Sequence, residues 1–370
     1  MVKNFEKNKK KNILIILTGG TICSFANENG EQESDTKKAE TLIVHNFRKS
    51  DSIYGDESVV EFTTKSPLDI LSENLTIKHW NTLINKMKRY NYSEYDGVII
   101  LHGTDTLAYT ASLLSLILSG INIPVFLVSS QLPIYEEEAN GNENFRTAVE
   151  HIVKGIKSNI YVAYRNDEIV KGKVESAMYI HYASHLLQCP NHSNNFYSAD
   201  MKLIKKQEFW KGTQSTPGEM LLYSLNKLTN CVLKITPYVG IDYSRFSLKG
   251  VKVILHHTYH SGTMAVNPYH ESPLTAGEQL IDYTKDSIMH LIKRCKSGTT
   301  GTELYIEPCN KENTYLYETT GIVLRSNVGT SWRTTSEMAY VKLLIGCALG
   351  YKGEELQAFI DKEINGEFIR

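Results

Sequence analysis

Short, uninterrupted apolar segments alternate with longer amphipathic ones along the first half of the chain. The uninterrupted segments have the length of strands that are buried on both faces of a sheet, and they lie at residues 12–17, 97–101, 124–129 and 160–164. In the stretches between them, apolar side chains recur at helical spacing, at residues 77–90, 106–118 and 144–156. Buried strands that alternate with helices predict a doubly wound, mainly parallel α/β sheet.

The pattern changes after Trp210, where residues 211–218 read KGTQSTPG and have the turn-forming composition of an exposed linker. Beyond this point we predict strands at residues 232–235, 251–255 and 303–306, and helices at residues 275–296 and 336–349. Thr275 and Glu278 form a capping-box pattern at the start of the first of these helices.

The length of 370 residues suits two domains better than one. We therefore predict a larger N-terminal α/β domain at residues 1–211, which carries the presumed active site. A linker at residues 212–230 joins it to a smaller C-terminal α/β domain at residues 231–370.

Composition and charge exclude several classes of partner. Forty basic residues against forty-one acidic ones give a net charge of −1, which argues against nucleic acid or an anionic membrane as the main partner. The apolar stretch at residues 113–128 is interrupted by Gly120, Asn122 and Pro124, so we expect no membrane span. The apolar run at residues 13–17 is too short for a signal peptide.

The six cysteines are scattered and include no C-x-x-C pair. This usage predicts a reduced, cytoplasmic protein, and the sequence offers no metal-ligand cluster. His256, His257 and His260 lie close together at a predicted strand end, but such a cluster is more often structural or exposed than metal-binding.

Two predicted strands end in the same kind of turn. Residues 18–22 read TGGTI after the first strand, and residues 102–106 read HGTDT after the second. The glycines allow the backbone to approach a ligand closely, and the N–H groups that follow can hold negative charge. The threonine hydroxyls are candidate nucleophiles or proton carriers, and Asp105 can hold a cation. Because both turns fall at the carboxyl edge of a parallel sheet, they indicate a ligand site.

Helix capping is the alternative role for Thr104 and Asp105, since both residue types commonly cap the helix that would begin near Thr106. The phosphate-binding P-loop and the dinucleotide-binding glycine motif are both absent. From the residues alone, the two turns therefore indicate a small anionic or zwitterionic ligand.

These turns and four further motifs make the chain similar to the L-asparaginase/glutaminase family, and most similar to its cytoplasmic type I branch. The motifs are TGGTI (18–22), DGVIILHGTDTLAYTAS (96–112), SENLT (72–76), SSQLP (129–133), NGNENF (140–145) and YHSGT (259–263). The similarity covers nearly the whole length, and the paired TGGTI and HGTDT motifs are specific. It implies an asparaginase-like fold of two α/β domains, with the active site at the carboxyl edge of the first sheet.

The resemblance also implies residue roles. Thr21 would be the nucleophile that attacks a side-chain amide, and Thr104 and Asp105 would join a lysine in a second proton-handling group. Asp105 would also take the substrate's ammonium, and Ser72 its carboxylate. The positions assigned to substrate binding are Ser72, Glu73, Gly103, Ser130 and Glu31.

The family uses no cofactor and no metal. It closes its site with the second domain of a partner chain, so the resemblance implies a homodimer or homotetramer.

One departure from the family concerns a tyrosine in the loop after the first strand. An ungapped alignment places Glu31 at its position, and no tyrosine occurs between Thr21 and Tyr54. Glu31 could itself act as a base, or it could disfavour a substrate that carries a free carboxylate nearby.

The second departure concerns the lysine, which should follow Gly172 by several residues. No lysine occurs between Lys173 and Lys202, and Tyr179 and His181 are candidates for its place. Losing both assisting groups should cost orders of magnitude in rate.

The leading hypothesis is an asparaginase-like amidohydrolase that converts L-asparagine, or a related amino acid or peptide amide, to the acid and ammonia. Two alternatives stay open: a catalytically weak amino-acid-binding protein, and a biosynthetic enzyme that uses the threonine acyl chemistry on a different amide or ester.

Overall fold

The computed structural model describes residues 10–199, 220–266, 268–269, 282–297, 301–307 and 317–369. The chain divides into two compact units, one of residues 1–225 with 364–366 and one of residues 226–363 with 367–370. This division falls inside the predicted linker at residues 212–230, of which residues 212–219 lie outside the described residues.

The first unit is built on a six-stranded sheet, in the order β4-β1-β5-β6-β7-β8. All neighbouring strands are parallel except β7 and β8, which form an antiparallel pair. The strands are β1 (Lys11–Leu17), β2 (Ser24–Ala26), β3 (Gln32–Ser34), β4 (Val60–Lys65), β5 (Gly97–Leu101), β6 (Val125–Val128), β7 (Ile160–Val170) and β8 (Lys173–Tyr182). The helices are α1 (Thr36–Lys49), α2 (Ile77–Met87), α3 (Leu107–Ile117), α4 (Gly141–Val153) and α5 (Leu221–Ser224). The predicted doubly wound, mainly parallel sheet is confirmed.

The burial of the central strands explains why their continuous apolar runs predicted them. Every residue of β5 and β6 is buried, because helices cover both faces of a parallel sheet. Helix α1 and strands β4 and β8 are among the elements of this unit that were not predicted. Helix α1 follows Asp35, whose side chain accepts a hydrogen bond from the Lys38 N–H, and it buries only a narrow stripe. Strands β4 and β8 are largely exposed or half-buried, so they lack a continuous apolar run.

The second unit contains a four-stranded, fully parallel sheet in the order β14-β13-β10-β9. Its strands are β9 (Val232–Ile235), β10 (Val253–His257), β13 (Glu303–Glu307) and β14 (Gly329–Thr330), and a separate pair is formed by β11 (Pro268–Tyr269) and β12 (Asp282–Tyr283). The helices are α6 (Ile288–Ser297), α7 (Glu318–Leu324), α8 (Ser336–Leu349) and α9 (Gly353–Asp361).

Helix α8 has the predicted bounds of residues 336–349. Of the helix predicted at residues 275–296, only the part from Ile288 is found, as α6. Residues 282–283 form strand β12 instead, so the predicted start was wrong. The proposed capping box at Thr275 lies outside the described residues. Within the part of the chain that the structure describes, no helix has both the length and the apolar character needed to cross a bilayer.

Candidate active site

The turns after β1 and β5 lie directly against each other. The backbone N–H and the hydroxyl of Thr18 both donate to the carbonyl oxygen of Leu101, at 3.0 and 2.9 Å. A Cβ atom placed on Gly20 would come within 2.2 Å of the Cα of Gly103. Gly20 also has a φ of +83°, which side-chain-bearing residues rarely adopt. The two glycine-containing turns predicted from the sequence therefore form one backbone-to-backbone contact.

A third segment, which follows β4, completes this contact. The N–H of Gly20 donates to the carbonyl oxygen of Ile70 at 2.7 Å, and a Cβ on Gly19 would lie 2.1 Å from that oxygen. A Cβ on Gly103 would lie 2.4 Å from the hydroxyl oxygen of Ser72. Because β4, β1 and β5 are neighbours in the sheet, three adjacent strand ends converge at its carboxyl edge.

Ser72 and Asp105 form a hydrogen-bonded pair within this edge. The Ser72 hydroxyl donates to Oδ2 of Asp105 at 2.8 Å, and it accepts from the Asp105 N–H at 3.2 Å. Thr106 donates its hydroxyl to the carbonyl oxygen of Ser72 at 3.1 Å. Ser72 is only 4% exposed, whereas Asp105 is exposed. The buried hydroxyl thus holds an accessible carboxylate in one orientation.

The capping role considered for Thr104 and Asp105 is not seen. Helix α3 begins after Thr106 without a side-chain hydrogen bond to its cap among the described residues. The carboxylate of Asp105 instead faces Ser72, and Thr104 is half-buried beside it.

Thr21 opens a single helical turn, Thr21–Cys23, directly after Gly20. The carbonyl oxygen of Gly20 accepts from the Cys23 N–H at 2.8 Å and from the Ser24 hydroxyl at 3.0 Å, which fixes this turn. The side chain of Thr21 is half-buried, while Cys23 and Ser24 beside it are buried. Thr21 is therefore the partly accessible hydroxyl of a rigid turn.

His102 fixes the second turn, a role that sequence analysis missed. Its Nδ1 donates to the carbonyl oxygen of Gly103 at 2.7 Å, and its own carbonyl oxygen accepts from the Ser129 hydroxyl at 2.6 Å. Burial disfavours the charged imidazolium and lowers the pKa of His102 to about 4. A neutral, hydrogen-bonded imidazole thus orients Gly103 without adding charge to the site.

The structure places Ser130 inside its own loop. Its hydroxyl donates to the carbonyl oxygen of Leu132 at 2.5 Å and accepts from the Gly141 N–H at 3.0 Å. A Cβ on Gly141 would lie 2.6 Å from this side chain. The SSQLP and NGNENF motifs therefore pack on each other through Ser130, and its contact with substrate stays a prediction.

Glu31 and Glu73 are both exposed and are not among the hydrogen-bonded residues of the convergent turns. Glu31 lies at the turn of the β2–β3 hairpin, where its N–H donates to Oδ1 of Asn27 at 2.9 Å. Glu73 lies in the single turn Ser72–Asn74. The substrate contacts of both carboxylates stay predictions.

The β2–β3 hairpin contacts a tyrosine from elsewhere in the unit. Gln32 donates to the hydroxyl of Tyr135 at 3.0 Å, and the ring of Phe25 stacks on that of Tyr135 at 5.7 Å. Tyr135 lies two residues after the SSQLP motif, and its position relative to the hairpin could not be read from the local sequence.

A polar cavity of about 400 Å³ adjoins Thr104 and Asp105. Gln188 closes one side by donating its Nε2 to the carbonyl oxygen of Asp105 at 2.6 Å. The residues that line the cavity include Thr104, Asp105, Gln131, Tyr164, Gln188 and Cys189. This volume falls in the range of small-molecule sites. The segment after β8 that supplies Gln188 and Cys189 carries no motif, so sequence analysis missed it.

Strand β8 occupies the segment in which the family lysine was expected. His181, one candidate for its place, is buried, and its Nδ1 lies 2.9 Å from the hydroxyl of Ser198. Burial lowers the pKa of His181 to about 4, so it is neutral near pH 7. Tyr179, the other candidate, is half-buried.

A cation does occur on the neighbouring strand. Arg165 donates to both carboxylate oxygens of Asp167, from Nε at 3.1 Å and from Nη2 at 3.0 Å, and it also contacts Glu143 at 3.1 Å. Gln131, which lines the cavity, donates to Asp167 at 3.5 Å. Arg165 is therefore linked to the cavity wall through two side chains, and its charge is compensated by two carboxylates.

Comparison with known proteins adds an independent finding. Residues 12–186 match the family model described as "Asparaginase, N-terminal". Over 160 residues the chain is 36% identical to an L-asparaginase of Thermococcus kodakarensis, in an alignment covering 43% of this chain and 45% of the relative. Over 165 residues it is 32% identical to L-asparaginase 1 of Escherichia coli K12, covering 44% and 46%. The chain thus spans a little under half the length of the curated relatives it matches.

The chain is also similar to solved structures. Their sequence identities to this chain are low, so this similarity concerns the fold alone. A thermostable L-asparaginase from Thermococcus kodakarensis superposes with a TM-score of 0.68 at 22% identity, covering 97% of this chain and 99% of the other. L-asparaginase I of Vibrio cholerae superposes with a TM-score of 0.63 at 20% identity, covering 98% and 100%.

Proposed function

We propose that the chain, whose residues 12–186 match the N-terminal asparaginase model, is an amidohydrolase that uses a threonine nucleophile. The substrate is L-asparagine or a related amino acid or peptide with a side-chain amide. Water and the amide give the corresponding acid and ammonia.

The observation that carries the proposal is the convergence of three strand ends without room for a Cβ atom. Gly20 and Gly103 lie against each other, and Ser72 lies against Gly103. Such a backbone is already ordered before a ligand binds, so those of its N–H groups that are not engaged within the protein, as the Gly20 and Asp105 N–H groups are, need no reorganisation when negative charge develops on a substrate oxygen. This is the electrostatic requirement of amide hydrolysis.

In the proposed reaction the Thr21 hydroxyl oxygen attacks the carbonyl carbon of the amide and loses its proton. The C–N bond then breaks, and ammonia leaves with an added proton. Thr104 and Asp105 serve the second half, in which water attacks the acyl-threonine ester and restores the Thr21 hydroxyl. Both line the cavity together with Gln188, which donates to the carbonyl oxygen of Asp105.

Substrate binding in this proposal depends on charge. Asp105 is an exposed carboxylate held by the buried Ser72, and it can pair with an α-ammonium. The same Ser72 hydroxyl is engaged by Asp105 here, so contact with an α-carboxylate requires it to change its acceptor. Glu73, Gly103, Ser130 and Glu31 remain proposed contacts.

We also propose that the protein self-associates as a homodimer or homotetramer in the cytoplasm, with a partner's YHSGT turn closing the site. This turn is compact: the Tyr259 N–H donates to the Thr263 carbonyl oxygen at 2.9 Å, and the Gly262 N–H donates to that of Tyr259 at 2.8 Å. The described cysteines Cys23, Cys189, Cys231, Cys295 and Cys347 are free thiols, which supports a reducing compartment. Light scattering that finds an active monomer would contradict the assembly.

A second candidate is an amino-acid-binding protein with weak turnover. It is favoured by β8, which has no lysine after its first residue, Lys173, and in which Nδ1 of His181 lies 2.9 Å from the Ser198 hydroxyl. The two candidate functions use the same residues to bind the ligand, and they differ in how fast the bound amide is hydrolysed.

The experiment measures ammonia release from asparagine, glutamine and asparagine-containing peptides by the wild type, Thr21→Ala and Thr21→Ser. We expect Thr21→Ala to lose turnover and Thr21→Ser to retain part of it. Thr41→Ala is the matched control, because its hydroxyl only donates to the Lys37 carbonyl oxygen within α1. Undiminished turnover in Thr21→Ala would refute the nucleophile, and ligand binding without any turnover would favour the binding protein.

A further inference from the structure

The carboxyl edge of the second sheet carries a hydroxyl, an imidazole and a carboxylate that the proposed amidohydrolase reaction does not use. Strands β10 and β13 run parallel, and their last residues, His257 and Glu307, are register partners. Ser336 is the first residue of α8, which starts at the same place. Ligand sites in parallel sheets favour this edge.

The three side chains contact one another around the ring of His257. Oγ of Ser336 lies 3.0 Å from Nε2 of His257, and Nδ1 of the same ring lies 3.5 Å from Oε2 of Glu307. Each ring nitrogen therefore faces a different partner, as the general base of a serine hydrolase faces its nucleophile and its orienting acid. The Ser336 hydroxyl also hydrogen-bonds Glu307, so each of the three side chains contacts the other two. The longer contact to Glu307 is of the kind that tightens when substrate binds.

The three side chains differ in solvent exposure, as acyl transfer by a serine requires. The side chains of His257 and Glu307 are 18% and 11% exposed, while Ser336 is half-buried at the surface end of the relay. Oε2 of Glu307 accepts no hydrogen bond from the described residues, so it is available to an imidazole N–H. Burial, with a contribution from the charge of Lys234, lowers the pKa of His257 to about 4, so the ring is neutral near pH 7.

The neighbouring His256 shows how a purely structural histidine differs. Its Nε2 pairs with the hydroxyl of Tyr243 at 2.7 Å, and the side chain is fully buried. His257, one residue on, points to a hydroxyl and a carboxylate instead. The interpretation of this cluster as structural therefore suits His256, whereas the contacts of His257 indicate chemistry.

The start of α8 supplies donors for an oxyanion. Thr335 caps the helix by accepting from the Met338 N–H at 3.2 Å. The N–H groups of Ser336 and Glu337 belong to the first turn, which has no intrahelical acceptors. They adjoin the Ser336 hydroxyl and, with the helix dipole, favour negative charge on an oxygen bound there.

We propose that Ser336, His257 and Glu307 form a second acyl-transfer site, one that hydrolyses small uncharged esters. Glu337 on α8 lies 3.7 Å from Lys234 on β9, so the charges beside the site compensate each other and favour a substrate without net charge. The proposal is independent of the amidohydrolase reaction, since none of its residues takes part in that reaction.

The steps balance as two acyl transfers. Ser336 Oγ bonds to the ester carbonyl carbon while its proton moves to Nε2 of His257, and the carbonyl electrons move onto oxygen. The tetrahedral species then expels the alkoxide, which takes the proton from Nε2 and leaves as the alcohol. Water repeats the cycle on the acyl-serine, giving the carboxylic acid and the free Ser336 hydroxyl.

The test uses the full chain as the Thr21→Ala variant, so that the first site is silent. A fluorophosphonate probe should label this protein, and peptide mass spectrometry should place the label on Ser336. Hydrolysis of p-nitrophenyl acetate should fall at least about tenfold in Ser336→Ala and in His257→Gln. Ser326→Ala is the matched control, because that half-buried hydroxyl, just after the end of α7, donates only locally to the Ile322 carbonyl oxygen.

Labelling of the Thr21→Ala chain does not depend on whether the Ser336 variants fold. Absence of label, or label on another residue, would overturn the proposal. Equal hydrolysis by Ser336→Ala and Ser326→Ala would overturn it as well. Loss of thermal stability in Ser336→Ala, together with no label in the parent chain, would assign these residues to holding the sheet edge.

Discussion

The mainly parallel first sheet and the parallel second sheet have carboxyl edges of opposite construction. At the first edge, Gly20 and Gly103 bring backbones together so closely that a Cβ atom would lie 2.2 Å from its neighbour. At the second edge, the contacts are made by the side chains of His257, Glu307 and Ser336. A parallel sheet thus provides the place for a site, and the residues at the strand ends decide whether backbone or side chains carry the chemistry.

The largest expected effect comes from adding one carbon atom to the first edge. Gly20→Ala places a Cβ against the Cα of Gly103 at a φ of +83°, so the contact and the dihedral are both strained. We expect a loss of at least about 4 kcal/mol in the free energy of unfolding, measured by chemical denaturation. Gly155→Ala is the matched control, because its φ is +78° and its Cβ would meet nothing within 4 Å.

The control should lose only about 1–2 kcal/mol, the cost of a left-handed residue. At the second edge, Ser336→Ala removes one hydrogen bond and should lose about 1 kcal/mol. Equal destabilisation of Gly20→Ala and Gly155→Ala would show that the first edge can relax, and the contrast between the edges would disappear.

The contrast also explains what could be predicted from the sequence. The first edge is encoded by contiguous motifs, TGGTI and HGTDT, and by apolar strands such as β5 that are buried along their whole length. The second edge is assembled from His257, Glu307 and Ser336, which are far apart in the chain and meet only through the register of β10 and β13. No local pattern reports such a register, so sequence analysis treated His257 as part of a structural cluster.

The same reason accounts for the missed parts of the first site. The Ser72 to Asp105 hydrogen bond joins segments that follow different strands, and Gln188 reaches Asp105 from a segment without a motif. Tertiary packing, which local sequence does not encode, decides these contacts.

The second effect in size concerns the exposed charge of the first edge. Asp105→Asn removes the negative charge that is proposed to bind an α-ammonium, and the remaining amide can still accept from Ser72. We expect the affinity for aspartate, measured by calorimetry, to fall by about 10- to 100-fold, as for loss of a charge-assisted hydrogen bond. Stability should change by no more than about 0.5 kcal/mol, because the side chain is exposed.

Glu137→Gln serves as the control, since it neutralises another exposed carboxylate of the same unit. Unchanged affinity in Asp105→Asn would remove this residue from the binding site. So would equal binding of a ligand that lacks the α-amino group.

The third effect concerns the buried charge of the second edge. Burial raises the pKa of Glu307 to about 7 from its ordinary 4.5, with Glu337 on α8 raising it further and Lys234 on β9 and the Ser336 hydroxyl opposing. His257 on β10 also faces the carboxyl group. The folded protein keeps the proton of the Glu307 carboxyl group at pH values at which the unfolded chain has already released it. The contribution of this group to the free energy of unfolding is therefore complete below pH 4.5. It is lost as the pH rises through about 7.

Glu307→Gln cannot ionise and should escape this loss. Its free energy of unfolding, relative to the wild type, should therefore rise by at least about 1 kcal/mol between pH 5 and pH 8, measured by denaturation in matched buffers. Glu318→Gln, at an exposed position of α7, should follow the wild type at both pH values. A flat difference between Glu307→Gln and the wild type would show that Glu307 is solvated in solution.

The smallest effect is expected at Glu31, on the hairpin that follows the turn carrying Thr21. Glu31 lies on the exposed turn of the β2–β3 hairpin, which Gln32 and Phe25 join to Tyr135. Glu31→Tyr should change stability by less than about 0.5 kcal/mol, because this side chain is solvent-exposed.

The effect of Glu31→Tyr on activity is electrostatic. A carboxylate near the α-carboxylate of free asparagine costs about 1 kcal/mol in a wet site, so its removal should raise kcat/KM by about 3- to 10-fold. Peptide-linked or C-terminally amidated asparagine has no such charge and should gain less. Glu28→Tyr, an equivalent change on the same turn, is the control. If both variants alter both substrates equally, the hairpin acts by bulk alone. If wild type already hydrolyses free asparagine as fast as the amidated form, Glu31 lies too far from the substrate to repel it.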